Sequence, residues 1–107
     1  LADGVECYCM DKIIIGSKVA VSQRTFLCTG THDISSLRRP LITKPILIGN
    51  HVWICAEAFI SPGVVIGEGA IIGARSVVTR DVLEWTVVAG NPALFIKPRT
   101  LTADERG

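Results

Sequence analysis

Aliphatic residues return at every sixth position between Ile48 and Val78, in the series Ile48, Ile54, Ile60, Ile66, Ile72 and Val78. Four residues after each stands a small or short β-branched side chain, in turn Val52, Ala58, Val64, Ala70, Ser76 and Val82. Ile, Leu and Val supply 32 of the 107 residues and Ser, Thr, Ala and Val supply 34, so each class is roughly 30% of the chain. Twelve in-phase matches then have a chance probability on the order of one in ten thousand. A period of six is neither the 3.6 of a helix nor the 2 of a simple strand. The pattern predicts a coil in which each hexad gives a short strand and a turn. The aliphatic residue points inward and the small one fits where the wall bends. Three hexads close one triangular rung, and rungs stack through parallel pairing at about 4.8 Å. No rung buries its own apolar face without neighbours.

The same phase appears earlier in the chain. Ile15, Val21 and Leu27 open three clean hexads that end at His32 and make one full rung. Residues 1–14 fit less regularly: Leu1 and Val5 are in phase, Cys7 follows, and two extra residues precede Ile15, as in a rung with a bulge or small insertion. Residues 33–47 break the period with Ser35-Ser36, Arg38-Arg39-Pro40 and Lys44-Pro45, so the chain is expected to leave the coil there as a loop. A long loop inside a compact repeat is usually a functional one. Two further rungs are expected over residues 48–83. Residues 84–107 read as a C-terminal cap and tail, in which Leu94-Phe95-Ile96 would lay an apolar lid across the last rung and Ala103 to Arg106 would form a helical turn. Length alone makes residues 1–107 one domain. The chain opens without Met and in mid-repeat, so an N-terminal portion of the natural protein is expected to precede Leu1.

The hexads Ile48-Gly49-Asn50-His51-Val52-Trp53, Ile54-Cys55-Ala56-Glu57-Ala58-Phe59 and Ile60-Ser61-Pro62-Gly63-Val64-Val65 resemble those of the hexapeptide-repeat acyltransferases. The runs Gly73 to Val82 and Ala89-Gly90-Asn91-Pro92-Ala93 resemble the C-terminal signature of that family. Leu27-Cys28-Thr29-Gly30-Thr31-His32-Asp33 and Leu41-Ile42-Thr43-Lys44-Pro45-Ile46 look most like the colanic acid biosynthesis acetyltransferases, beside the galactoside, maltose and nodulation-factor O-acetyltransferases. The resemblance runs from Ile15 to Lys97. It implies an all-β fold, a left-handed parallel β-helix with an extruded loop and a short C-terminal cap. The handedness rests on the resemblance alone, because the general crossover rule favours the right-handed form. It further implies an acetyl-CoA-dependent O-acetyltransferase acting on a hydroxyl of a sugar or polysaccharide precursor. The assembly implied is a homotrimer with active sites between subunits. Cys55 and Arg75 depart from the pattern by standing where the family usually has glycine, and Leu94 stands where a basic residue is common.

Of the two histidines, His51 falls at an outward, mid-hexad position and reads as a surface residue. His32 stands where the resemblance implies a catalytic histidine, a general base that takes a proton from the acceptor hydroxyl. An imidazole titrates near neutral pH, and a positioned base contributes about 10²- to 10⁴-fold. Either Asp33 or a backbone carbonyl would orient the ring. Asp33, Arg38 and Lys44 in the loop are the expected acceptor contacts. For the cofactor, the resemblance implies an aromatic wall at Trp53, a residue that equally fits an apolar patch covered by a neighbouring subunit. Coenzyme A phosphates need donors and positive charge, and the candidates are Ala74, Arg75, Arg80, Asn91 and Lys97, with Arg99 as a further cation. A covalent route through Cys28, four residues before His32, is a variant of the same chemistry.

Charge and cysteine content narrow the remaining classes. Eleven Lys and Arg against ten Asp and Glu leave a net charge of +1, with no general attraction to nucleic acid or a membrane surface. No run of 18 apolar residues is present to form a membrane span. Cys7, Cys9, Cys28 and Cys55 lack paired CxxC spacing and read as reduced thiols of a cytoplasmic protein. A zinc hydratase on the same kind of helix would need three histidine ligands, the chain has two, and no metal is expected. N-acetylation of an amino sugar and a non-catalytic β-helix used for assembly stand as alternatives.

Overall fold

A hexad with an aliphatic inward residue and a small corner residue buries both only by stacking on its neighbours, and the computed structural model describes that stack over residues 3–8 and 10–102. Leu1, Cys9 and the turn expected over Ala103 to Arg106 lie outside the described residues. The first rung consists of β1 (Glu6–Tyr8), β2 (Ile13–Ile15) and β3 (Ala20–Val21). The second opens with β4 (Phe26–Cys28), leaves the coil as β5 (Gly30–His32) and β6 (Leu41–Thr43), and resumes with β7 (Ile46–Ile48) and β8 (Trp53–Ile54). β9 (Phe59–Ile60), β10 (Val65–Ile66) and β11 (Ile71–Ile72) make the third rung. The fourth has β12 (Val77–Val78), a single bridge at Val82 and β13 (Thr86–Ala89), after which β14 (Leu94–Pro98) runs back antiparallel to β13.

Equivalent strands pair in parallel as three walls: β1-β4-β9-β12, then β2-β7-β10, then β3-β8-β11-β13. The fold is a left-handed parallel β-helix. Among the described residues there is no helix, and so none long and apolar enough to cross a membrane. Register aligns Cys7, Leu27, Ile60 and Val78 on the first wall. It aligns Ile15, Ile48, Ile66 and Val82 on the second, and Val21, Ile54, Ile72 and Val88 on the third. All twelve residues of the six-residue series are at most 7% exposed. Burying each isoleucine contributes about 1.5–3 kcal/mol. The corner hydroxyls are satisfied as well. Thr25 Oγ1 donates to the Cys55 carbonyl at 3.2 Å, and Ser76 Oγ accepts the Gly90 N–H at 3.1 Å. The insertion before Ile15 is tied to the second rung, because buried Thr29 Oγ1 accepts the Met10 and Asp11 N–H groups at 2.9 and 3.0 Å.

Three expectations are corrected. Val82 is not a corner residue: it bridges Ile66 on the second wall, only four residues after Val78, so the last turn is two residues shorter than a hexad. The Asp81 carboxylate makes this possible by accepting the Val65 N–H at 2.8 Å. Residues 33–47 are not loop throughout, since β6 and β7 fall inside them and the arm begins three residues earlier, at Gly30. Leu94, Phe95 and Ile96 form no lid. They lie in β14, which pairs with β13 alone, and remain 65%, 61% and 57% exposed.

Between the second and third walls each rung turns through a residue with positive φ: Lys18 (56°), His51 (60°), Gly69 (71°) and Trp85 (55°). The Trp85 ring rests against Gly69 so closely that an added Cβ would overlap it. Gly69→Ala therefore meets a steric clash and a left-handed backbone together, and is expected to destabilise the fold by roughly 2–4 kcal/mol. The denaturant midpoint reads this, and an unmoved midpoint would show that Trp85 gives way freely.

Candidate active site

The arm leaves the coil between the first and second walls, and its root is pinned where the Lys44 N–H donates to the Thr29 carbonyl at 2.9 Å. Beyond that root Gly30, Thr31 and His32 pair antiparallel with Thr43, Ile42 and Leu41. The Asp33 N–H donates to the Pro40 carbonyl at 2.9 Å and closes the ribbon. His32 is thus held on a strand end and its side chain is exposed. Its Nδ1 lies 2.8 Å from the Arg39 carbonyl. A carbonyl only accepts, so Nδ1 carries the proton in the neutral ring and Nε2 holds the lone pair. Of the two orienting groups the sequence leaves open, the ring takes the carbonyl. The Asp33 carboxylate turns instead to Ser35, where Oδ1 accepts both the hydroxyl and, at 2.9 Å, the backbone N–H. The side-chain bond and then the backbone bond from Ser35 pull its pKa below the ordinary carboxylate value.

The other expected site residues are spread over the coil. Arg38 is exposed at the tip of the arm, and its N–H donates to Ser36 Oγ at 3.2 Å. Lys44 lies over Gly63 of the next rung, where an added Cβ would meet its Cδ at 3.0 Å. Arg80 is in the turn from the first wall to the second, in the corner that launches the arm two rungs earlier. Ala74 and Arg75 occupy the turn from the third wall to the first, and Asn91 the same turn one rung later, with a cis bond to Pro92. Arg75 Nε is 3.5 Å from Glu57 Oε1, with the two side chains 80% and 41% exposed, a pair worth about 0–1 kcal/mol. Trp53 stands on the third wall between Ala20 and Ile71, 46% exposed, and its indole N–H donates to Ser22 Oγ at 3.1 Å. Lys97 lies on β14 at the edge of the same wall. One chain therefore gathers His32, Lys44 and Arg80 at one corner, Ala74, Arg75 and Asn91 at another, and Trp53 and Lys97 on a wall. Cys28 is buried, and its thiol donates to the Gly30 carbonyl at 3.0 Å. Among the described residues no three His, Cys, Asp or Glu side chains converge on one point.

Sequence reasoning missed a groove of 1150 Å³ at the corner between the second and third walls, lined in part by His51, Glu68, Trp85, Lys97 and Arg99. Arg99, expected as a phosphate cation, is committed here. Its Nη1 donates to the His51 and Gly69 carbonyls at 2.8 and 2.9 Å, and its guanidinium sits 5.7 Å from the Trp85 ring centroid. The His51 ring stacks on the same Trp85 ring, with centroids 6.5 Å apart. The available signal was spacing: His51 and Gly69 are 18 residues apart, one full rung, and Trp85 follows 16 later across the shortened turn.

The six-repeat model described as bacterial transferase hexapeptide matches residues 45–80. Those residues carry the repeat of the bacterial transferase hexapeptide family. Over 95% of its length this hexapeptide chain is 39% identical to the protein named "Putative colanic acid biosynthesis acetyltransferase WcaF" of Escherichia coli K12, of which it covers 56%. Over 79% of its length it is 38% identical to the galactoside O-acetyltransferase of the same strain, of which it covers 43%. The chain thus spans about half the length of these curated relatives. A mutant of AntD, an N-acyltransferase from Bacillus cereus solved with dTDP-4-amino-4,6-dideoxyglucose and coenzyme A, superimposes with a TM-score of 0.88 at 27% identity. That match takes in 98% of the hexapeptide chain and 62% of AntD.

Because the ionised carboxylate of Asp33 is the form that Ser35 stabilises, the bonds at the tip persist above the ordinary carboxylate pKa and are lost as pH falls through the depressed one. A pH titration of the Ser35 backbone amide by NMR is expected to show its midpoint below that of a free aspartate. A midpoint at or above the free value would contradict the hydrogen bonds.

Proposed function

We propose that this chain is the catalytic solenoid of an acetyl-CoA-dependent O-acetyltransferase that modifies a hydroxyl of a sugar or polysaccharide precursor. The observation that carries the reading is His32, exposed on a hydrogen-bonded ribbon with Nδ1 tied to the Arg39 carbonyl and Nε2 left to accept a proton. Support comes from relatives named as acetyltransferases and from a neighbour solved with coenzyme A. Nε2 takes the proton of the acceptor hydroxyl and leaves its oxygen as the nucleophile. The bound donor would supply the acetyl thioester that this oxygen attacks; the C–S bond breaks as the ester C–O bond forms, and the departing thiolate recovers the proton from Nε2. Asp33, Arg38 and Lys44 around the arm are the proposed acceptor contacts.

For the donor we propose Trp53 as an aromatic wall along the pantetheine arm and Ala74, Arg75, Arg80, Asn91 and Lys97 as the phosphate and amide contacts. The chemistry of this set suits a polyphosphate ligand, since Arg75, Arg80 and Lys97 are all exposed cations. Apart from Arg80 these groups lie at another corner or on a wall of a single coil, away from the corner of His32, so one cleft that uses them all together with His32 needs more than one chain. That placement supports a homotrimer with sites between subunits, in which the arm of one chain faces the C-terminal rungs of the next. Cys28 and Cys55 are free thiols, which fits the cytoplasm as the proposed compartment.

A second reading has an observation of its own. The AntD likeness, to an N-acyltransferase holding an amino sugar, favours an amine acceptor on the same site. Mild alkali separates the two, because it cleaves an acetyl ester and spares an acetamide.

Two outcomes test the proposal. With an accepted saccharide, thiol release from acetyl-CoA is expected to fall about 10²- to 10⁴-fold in His32→Ala, and undiminished release would remove His32 from the role of base. Light scattering is expected to return a trimer; a monomer that is fully active would refute sites shared between chains.

A further inference from the structure

We infer that Asp33 and Ser36 are positioning residues for His32, acting through the Arg39 carbonyl, which the left-handed backbone of Arg39 turns onto the ring. The inference rests on the reading of His32 as the base. Six residues, 34–39, lie beyond the closing pair of Asp33 and Pro40 at the tip of the arm. They have no core of their own, for Ile34 is 93% and Leu37 100% exposed. The shape of the tip therefore comes from hydrogen bonds.

Those bonds run in a connected series. Asp33 Oδ1 accepts the Ser35 N–H and hydroxyl, which sets the first turn. Ser36 Oγ accepts the Arg38 N–H at 3.2 Å, and the Ser36 carbonyl accepts the Arg39 N–H at 3.1 Å, which fixes the second. Arg39 then enters the left-handed region, with φ of 48°, and its carbonyl meets His32 Nδ1 at 2.8 Å. A non-glycine residue pays about 1–2 kcal/mol for that conformation, and it persists where the surroundings over-determine it. Here the surroundings are the two turns. What they secure is the tautomer: with the proton held on Nδ1, Nε2 is always the basic nitrogen. Without the carbonyl the ring exchanges tautomers, and a share of the enzyme presents an N–H to the acceptor hydroxyl.

Substitution of Arg39 separates backbone from side chain. Arg39→Gly and Arg39→Val both remove the guanidinium, but glycine adopts positive φ freely and valine does so only as a rare outlier. We expect kcat of Arg39→Val to lie below that of Arg39→Gly in proportion to the share of the ring in the wrong tautomer, with KM for acceptor and for acetyl-CoA alike in the two. Imidazole ¹⁵N shifts of His32 are expected to report the Nδ1-protonated tautomer in Arg39→Gly and a mixture in Arg39→Val. Asp33→Ala is expected to lower kcat and Asp33→Asn to restore most of it, since an amide oxygen still accepts the Ser35 N–H. Ser36→Ala is expected to shift the ¹⁵N signature in the same direction as Arg39→Val. Equal kcat and one common tautomer in the Gly and Val variants would overturn the inference. The ¹⁵N readout needs no turnover, so it decides the positioning even if His32→Ala proves active and the base is reassigned.

Discussion

Parallel pairing in register, rung upon rung at about 4.8 Å, is the constraint from which the rest of this molecule follows. Whatever one rung puts at a given place, the rungs above and below must accommodate within that spacing. Inward positions therefore hold Ile, Leu or Val with almost no exception, from Val21 and Leu27 to Val78 and Val88. Corners face the same demand. The left-handed conformations at Lys18, His51, Gly69 and Trp85 form one column, and Gly69 is glycine because the indole of the following rung occupies the space of its side chain. An excursion such as the arm is tolerated only where the chain exits and returns at one corner, and the Thr29–Lys44 pinch closes that gap without breaking the ladder.

Much of this was legible in the residues because the ladder writes itself as a period of six. It was least legible where a side chain replaces main chain. Counting hexads put Val82 at a corner, since nothing in the period reveals that the Asp81 carboxylate stands in for a missing carbonyl. Leu94-Phe95-Ile96 was apolar enough to suggest a lid, yet apolar content does not say whether a strand lies across a core or along an edge. The candidate site shows the same division. His32 was nominated as a candidate by its sequence context. Its orienting partner was not, because Arg39 carries no glycine to mark a left-handed backbone and its carbonyl acts across seven residues. The tie of Arg99 to His51 and Gly69 spans 48 and 30 residues and becomes local only after the coil is wound.

The coil and the arm hold their order by different means. The coil is fixed by buried aliphatic area, which is indifferent to pH. The arm is fixed by polar groups in contact with water, each individually weak. Residues meant to touch a changing set of acceptors fit better on the second kind of support, where a single side chain alters the surface without disturbing the core.

The direction of β14 has a consequence for the molecule as an object. An uncapped parallel rung is a template, because its free edge offers the next chain the same surface that every interior rung offers its neighbour. Repeated end to end, that would make a fibre. By running antiparallel on β13, the last strand presents a polarity that no parallel rung continues on that wall, and three bulky side chains stand out beside it. On that wall the antiparallel strand thereby works against the end-to-end addition of another parallel rung.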